Sequence, residues 1–224
     1  MNSELLESAL QVKNLGLTYP GGTGRPTLRD VSFDMGVGDR VALLGRNGQG
    51  KSTLIKLLGG VLQPTKGAIK WGVTSSWPIG FSGGFQGSLT GYDNIRFIAR
   101  IYGVDYKPTL EKVEGFAELG AALKRPVKQY SSGMRARLAF GLSLAVEFDC
   151  YLIDELVAVG DAKFQLKCQE ELFEKRKDRS FIIASHDMNL LSNVATSAII
   201  IDQGTSRTYN DVNEAIEIYR WLQP

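Results

Sequence analysis

The 224-residue sequence has no long apolar run, little cysteine and no excess of either charge. Its apolar runs are short and strand-like, far below the roughly 20 residues that a membrane-spanning helix needs, so we expect no direct membrane span. Lys and Arg number 26 and Asp and Glu 24, and the net charge of +2 leaves no electrostatic footprint for nucleic acid. The two cysteines, Cys150 and Cys168, lack metal-binding spacing and are expected to be reduced thiols of a cytosolic protein. We therefore expect a globular protein without a nucleic-acid partner.

A glycine-rich stretch, Gly45–Thr53, fits the pattern G-x-x-x-x-G-K-[ST], and we call it the phosphate loop. An apolar strand precedes it and a helical segment follows, which places a helix N-terminus beneath bound phosphates. Glycine lets backbone N–H groups converge on phosphate, Lys51 adds a charge for the β- and γ-phosphates, and the Ser52 hydroxyl is suited to Mg²⁺. A chance glycine turn is the alternative, and the complete motif with both flanks disfavours it. The predicted nucleotide contacts are Gly45, Asn47, Gly48, Gly50, Lys51, Ser52 and Thr53.

Polar residues follow two further apolar strands. Asp154 and Glu155 come directly after Cys150–Ile153, about a hundred positions after the phosphate loop. A carboxylate at such a strand end is placed to hold Mg²⁺, and the next one to accept a proton from an attacking water. His186, the single histidine, follows Ser180–Ser185 and is placed to donate a hydrogen bond to a γ-phosphate. The alternatives are a capping aspartate, a solvated glutamate and a structural histidine, and the phosphate loop upstream makes them less favoured. We therefore predict Lys51, Glu155 and His186 as catalytic, and Asp154 with Ser52 as metal ligands.

The order of elements indicates an α/β fold in which an antiparallel β layer joins a phosphate-loop core. Alternating and apolar segments dominate both ends of the chain, whereas the segment between them has helical periodicity. We therefore expect one domain, 1–224. Residues 1–87 and 146–224 would form a lobe with the β layer and the α/β core, and residues 88–145 a helical lobe.

The sequence of motifs resembles the ATPase subunit of ATP-binding cassette (ABC) transporters over essentially the whole chain. The matching segments, besides the phosphate loop, are Tyr130–Met134, Ile153–Glu155, Gly160–Asp161 and Ser185–His186. The resemblance implies a RecA-like P-loop NTPase core and a homodimer with two ATP molecules between its subunits. It further implies that Ser131 and Gly133 bind the γ-phosphate of the opposite subunit's ATP, that Tyr19 stacks on adenine, and that Asp161 communicates across the dimer.

Two departures from the family pattern affect these roles. In the signature Tyr130–Met134, Ser132 replaces the usual first glycine and Met134 the usual glutamine, so hydrolysis is expected to be slow. The glutamine that joins the metal site to the membrane subunit has its usual position near Phe81, while Gln86 lies several residues later. Gln86 is therefore the candidate for that metal-site role.

A closer resemblance is to the ATPase subunits that export capsular polysaccharide in Gram-negative bacteria. It is carried by three segments, Ser76–Gly91, Tyr130–Met134 and Glu147–Glu155. It implies an ATPase on the cytoplasmic face of the inner membrane that drives an integral-membrane permease. The alternatives are the ATPase of an O-antigen or teichoic-acid exporter, a soluble ABC-type switch, and a regulatory module that binds nucleotide without turnover. Glu155 argues against the last of these.

The stretch Trp77–Ser88 combines aromatic residues with four glycines. Aromatic residues on glycine-rich loops are typical interface anchors, so we predict that this stretch docks the membrane subunit. The alternative is a hydrophobic cluster beneath the helical lobe.

Overall fold

A computed structural model describes residues 8–21, 24–80, 85–155 and 162–222 of the chain. Its strands are β1 (Ser8–Leu17), β2 (Leu28–Gly36), β3 (Arg40–Leu44), β4 (Lys66–Trp71), β5 (Ser75–Pro78), β6 (Cys150–Asp154), β7 (Ser180–Ala184), β8 (Ser197–Asp202) and β9 (Thr205–Tyr209). Its α-helices are α1 (Lys51–Leu58), α2 (Gly91–Ile101), α3 (Tyr106–Ala117), α4 (Ser132–Ala145), α5 (Ala162–Gln169), α6 (Met188–Val194) and α7 (Val212–Trp221). Short 3₁₀ helices cover Gly120–Lys124 and Val127–Gln129, and a π-helical stretch, Glu170–Glu174, continues α5.

The strands form one sheet in the order β4-β1-β2-β9-β8-β3-β7-β6-β5. The β4-β1-β2 end is antiparallel, whereas β8, β3, β7, β6 and β5 run parallel to one another. The α/β class with an antiparallel β layer, predicted from the sequence, is therefore confirmed. Because β3, β6 and β7 are parallel, their carboxyl ends meet at the same edge of the sheet.

The burial patterns of the strands agree with the division of the sheet into an antiparallel and a parallel part. Strand β2 alternates, with Leu28, Val31, Phe33 and Met35 buried between exposed positions, as expected when one face is covered. The parallel strands β6 and β7 instead carry continuous buried runs, which is typical of strands covered on both faces.

The chain divides into two compact units. The first takes in the described parts of Met1–Pro78, Phe148–Leu156 and Asp178–Pro224, and the second those of Ile79–Glu147 and Val157–Lys177. The second unit thus includes α5, which the sequence analysis assigned to the core lobe. The reason is aromatic packing, because the Phe164 ring lies 5.2 Å from that of Phe116 and 6.3 Å from that of Phe140.

Candidate functional site

The phosphate loop connects β3 to α1 and leaves the helix N-terminus open. The residue before α1, Gly50, has φ +103° and offers no side-chain cap to the first helical turn. Gly45 packs so closely on β8 that an added Cβ would lie 2.6 Å from the Ile201 carbonyl oxygen. The loop borders a cavity of about 180 Å³, which is lined by Thr27, Asn47, Gly48, Gly50, Lys51, Ser52, Thr53, Asp154 and Glu155. An open helix N-terminus beside a cavity is the arrangement that binds phosphate.

Ser52 and Asp154 meet although 102 residues separate them in sequence. The Ser52 hydroxyl donates a 2.9 Å hydrogen bond to Asp154 Oδ1. Burial raises the pKa of the Asp154 carboxyl, and the Ser52 hydrogen bond acts in the opposite direction. Hydroxyl and carboxylate oxygens are hard ligands that fit Mg²⁺, which binds few protein groups and keeps several waters. Among the described residues, no group of three or more His, Cys, Asp or Glu side chains could hold a metal ion, so a Mg²⁺ here would also need phosphate and water oxygens.

Glu155 and His186 form an exposed pair beside the cavity. His186 Nε2 lies 2.9 Å from Glu155 Oε1, and the two side chains are 52% and 60% exposed. The pair forms because β6 and β7 are neighbours whose ends are joined by a 2.8 Å hydrogen bond from Glu155 N–H to the Ala184 carbonyl. Glu155 has φ +49°, a left-handed conformation that is uncommon for residues other than glycine. Backbone strain of this kind clusters at functional sites.

Lys51 begins α1, and Tyr19, which follows β1, contacts the same helix through Thr53. The Lys51 ammonium donates to the carbonyl oxygens of Gly45 and Arg46. Burial lowers the pKa of Lys51, whereas the carboxylates of Glu155 and Asp154 raise it. The Tyr19 hydroxyl lies 3.2 Å from Thr53 Oγ1, and the residue is 41% exposed. Part of the Tyr19 ring surface beside α1 is therefore accessible.

Ser131 and Gly133 lie in the second unit, whereas the residues above belong to the first. Ser131 caps α4 by accepting a 3.2 Å hydrogen bond from Met134 N–H. The buried Tyr130 fixes the preceding turn, because its hydroxyl donates to Ala122 O at 2.8 Å and its carbonyl accepts from Arg135 Nη1 at 2.7 Å. This helix N-terminus therefore presents a small residue and a hydroxyl on a fixed backbone. Asp161 lies outside the described residues.

Gln86 is an exposed residue of the second unit, and its backbone is anchored by Asn94. Gln86 N–H donates to Asn94 Oδ1 at 3.1 Å, and Asn94 Nδ2 donates to Gln86 O at 3.3 Å and to Thr90 O at 2.8 Å. Sequence reasoning missed Asn94, and the available signal was a polar residue within the apolar stripe of α2. Phe81, the usual position of the family glutamine, lies outside the described residues.

The aromatic residues of the Trp77–Ser88 stretch that the structure describes pack inward. The Trp77 ring meets Phe148 edge-on at 5.5 Å, and the partly buried Phe85 packs on the core of the second unit. This is the packing expected of the hydrophobic-cluster alternative. Phe81 and Ser82 lie outside the described residues.

Two contacts behind the phosphate loop were not predicted. Gln49 Oε1 accepts a 2.8 Å hydrogen bond from Gln203 N–H, and the Tyr219 hydroxyl donates to the Gly45 carbonyl at 3.3 Å. Tyr219 lies on the buried face of α7, and no local pattern in the sequence indicates its partner 174 residues away.

Across residues 8–21, 24–80, 85–155 and 162–222, no helix has both the length and the apolar character needed to cross a membrane.

Comparison with known proteins places these features in context. A family model described as ABC transporter matches residues 28–158. The chain is 55% identical over 198 residues to the capsule polysaccharide export ATP-binding protein CtrD of Neisseria meningitidis serogroup B, covering 88% of this chain and 92% of that protein. It is 49% identical to the ATP-binding protein BexA of Haemophilus influenzae, covering 96% and 99%. Among solved structures, an ATP-binding subunit of an ABC transporter superposes with a TM-score of 0.76 at 24% identity, covering 94% of both chains.

Proposed function

Because this chain belongs to the ABC transporter family, we propose that it is the ATP-hydrolysing subunit of an exporter of capsular polysaccharide. The observation that carries the proposal is the set of residues at one edge of the sheet. There the phosphate loop, the Ser52–Asp154 pair and the Glu155–His186 pair follow three parallel strands. The relatives at 55% and 49% identity support capsular polysaccharide as the transported substrate, since one of them is named for capsule polysaccharide export.

In the proposed reaction the chain's own groups bind ATP and direct a water at its γ-phosphate. The N–H groups of the phosphate loop and the Lys51 ammonium bind the phosphates. Mg²⁺, held by Ser52 and by Asp154 through water, would neutralise charge on the β- and γ-phosphates. Glu155 accepts the proton of the attacking water while the bond between the γ-phosphorus and the bridging oxygen breaks, and His186 donates a hydrogen bond to a γ-phosphate oxygen. The products are ADP and phosphate.

The proposed working form is a homodimer. Each chain, 1–224, acts as one domain whose helical lobe includes residues 88–145 and α5. Ser131 and Gly133 bind the γ-phosphate held by the partner subunit, Tyr19 stacks on adenine and Asp161 transmits nucleotide state across the interface. Closure on ATP supplies differential binding energy, and hydrolysis resets the dimer.

The proposed partner is an integral-membrane permease, with this chain peripheral on the cytoplasmic face of the inner membrane. Gln86 would couple the metal site to that permease. Asn94 supports this role, since it holds the Gln86 backbone in place.

A phosphate-release assay with three variants tests the enzymatic part of the proposal. The parent protein should release phosphate from ATP only with Mg²⁺, and Lys51→Ala should lose this activity because the phosphates lose their cation. Lys70→Ala, an exposed residue of β4, is the matched control and should keep the parent rate. Glu155→Gln should bind ATP yet lose about 10²–10⁴-fold in rate, since an amide does not accept the proton.

The same Glu155→Gln variant tests the dimer by light scattering. It should form a stable dimer with ATP, and a variant that stays monomeric at saturating ATP would contradict the two-site arrangement. Restoration of surface capsule in a bacterium lacking its own ATPase subunit tests the transported substrate. A parent protein without Mg²⁺-dependent phosphate release would refute the enzymatic proposal.

A further inference from the structure

The side chain of Gln49 joins the phosphate loop to the turn between β8 and β9. Gln49 Oε1 accepts a 2.8 Å hydrogen bond from the N–H group of Gln203, which lies 154 residues further along the chain. The antiparallel pairing of β8 with β9 ends at Asp202 and Thr205, so the Gln203 N–H lies outside that ladder. Gln203 has φ +48° and Gly204 has φ +79°, as expected for a tight hairpin turn.

This turn is itself attached to a third part of the first unit, the start of β2. The Gly204 carbonyl accepts hydrogen bonds from the N–H groups of Arg29 at 2.7 Å and Asp30 at 3.2 Å. Gly204 is also packed closely, since an added Cβ would lie 3.1 Å from Arg29 Cγ. The turn therefore offers Gln49 a fixed point of attachment.

The loop segment that Gln49 attaches has little local restraint. Gln49 lies between Gly48, with φ +82°, and Gly50, with φ +103°. Glycine adopts positive and negative φ about equally well, so the residue types on either side of Gln49 do not favour one conformation. The Gln49 N–H donates to the Arg46 carbonyl at 3.2 Å, but that bond closes the loop on itself.

The Gln49 side chain is directed away from the nucleotide cavity. Gly48 and Gly50 line the 180 Å³ cavity beside the phosphate loop, as do Asn47 and residues 51–53, whereas Gln49 is not among the described residues that line it. The hydrogen bond to Gln203 can therefore stay in place when phosphates fill the cavity.

Resting on the function proposed above, we propose that Gln49 is a positioning residue for phosphate binding. Its hydrogen bond to the β8–β9 turn holds the Gly48–Gly50 backbone against the cavity before nucleotide arrives. Binding then costs less conformational entropy, and affinity for the phosphates rises. Gln49 lies outside the cavity in which the reaction occurs, so it acts on nucleotide binding and not on the chemical step.

Gln49→Met tests this inference because methionine keeps the length of the side chain and removes the oxygen that accepts the bond. Loss of one hydrogen bond predicts that Kd for MgATP and KM for ATP rise about three- to tenfold. The kcat at saturating ATP should stay within about twofold of the parent value. Gln203→Asn is the matched control, because it keeps the N–H group and asparagine tolerates the left-handed conformation, so it should retain the parent values.

Two measurements distinguish this role from a general loosening of the protein. Hydrogen exchange followed by NMR should show the Gln203 amide of the nucleotide-free protein exchanging about threefold faster or more in Gln49→Met than in the parent. Adenosine offers no phosphate to the loop, so it should bind the parent and Gln49→Met proteins equally.

Four outcomes would overturn an inference. Equal MgATP affinity of Gln49→Met and parent protein would refute the role of Gln49 and leave the proposed function standing. Equal exchange of the Gln203 amide in the two proteins would refute it as well, since the bond would then not hold the loop. An equal loss of adenosine and MgATP affinity would show that the methionine variant is merely loosened. A parent protein that does not bind MgATP would overturn the proposed function too.

Discussion

Replacing Asn94 by alanine should destabilise the segment that carries Gln86. Asn94 is 1% exposed, and its amide accepts from Gln86 N–H and donates to the carbonyls of Gln86 and Thr90. Both of those carbonyls also accept a backbone N–H, from Leu89 at 3.0 Å and from Asn94 itself at 3.0 Å, so they stay bonded in the variant. Gln86 N–H is the group that loses its partner.

The expected destabilisation follows from that one orphaned donor. A buried polar group left unsatisfied costs about 1–3 kcal/mol. Gln86 is exposed, so water can partly replace the lost amide, whereas removal of the Asn94 amide group leaves a small void. We therefore expect a loss of about 2 kcal/mol, which for a chain of this length lowers the melting temperature by about 4–8 °C.

Thermal unfolding of the nucleotide-free protein measures this effect. Arg100→Ala changes an exposed residue of the same helix and should stay within about 0.5 kcal/mol of the parent. If Asn94→Ala melts together with the Arg100→Ala control, the hydrogen bonds around Gln86 do not contribute to stability and the reasoning fails.

Other substitutions separate function from stability. Asp154→Asn should raise the melting temperature in EDTA at neutral pH, since burial raises the pKa of this carboxyl and so disfavours its ionised form in the fold. That gain in melting temperature should shrink as the pH falls through the raised pKa of Asp154. The Asp154→Asn variant should also lose Mg²⁺-dependent phosphate release, and a melting temperature below that of the parent at neutral pH would contradict the prediction. Ser131→Ala should cost about 1 kcal/mol by removing the cap of α4, and Ser131→Thr should restore it, so equal melting of the two variants would exclude a capping role. Phe85→Ala should cost about 2 kcal/mol in urea unfolding, below the 3–5 kcal/mol of a fully buried phenylalanine, and an unchanged midpoint would favour docking instead.

Residues that follow strands were within reach of sequence analysis. The strand before the phosphate loop and the strand before Asp154 are both read from short apolar runs, and parallel pairing then brings Ser52 and Asp154 together across 102 residues. The same logic places His186 near Glu155, since adjacent parallel strands end at one edge.

Contacts that depend on tertiary packing were out of reach. The hydrogen bond of Tyr219 to Gly45 links an apolar helix face to a loop, and neither has a local signal for the other. The left-handed conformation of Glu155 is unusual for glutamate, so residue type does not indicate it. The assignment of α5 to the second unit depends on where Phe164 packs, and periodicity alone does not determine a helix's neighbour.

The position of β3 in the sheet determines when a growing chain can first bind nucleotide. This strand lies between β7 and β8, whose residues Ser180–Ala184 and Ser197–Asp202 belong to the last quarter of the sequence. A growing chain of residues 1–178 therefore carries the whole phosphate-loop motif but neither strand that pairs with its base. Pairings so distant in sequence form late, because the loop they close is long. We therefore expect ATP to stabilise the growing chain only after β7 and β8 have both been synthesised and have paired with β3.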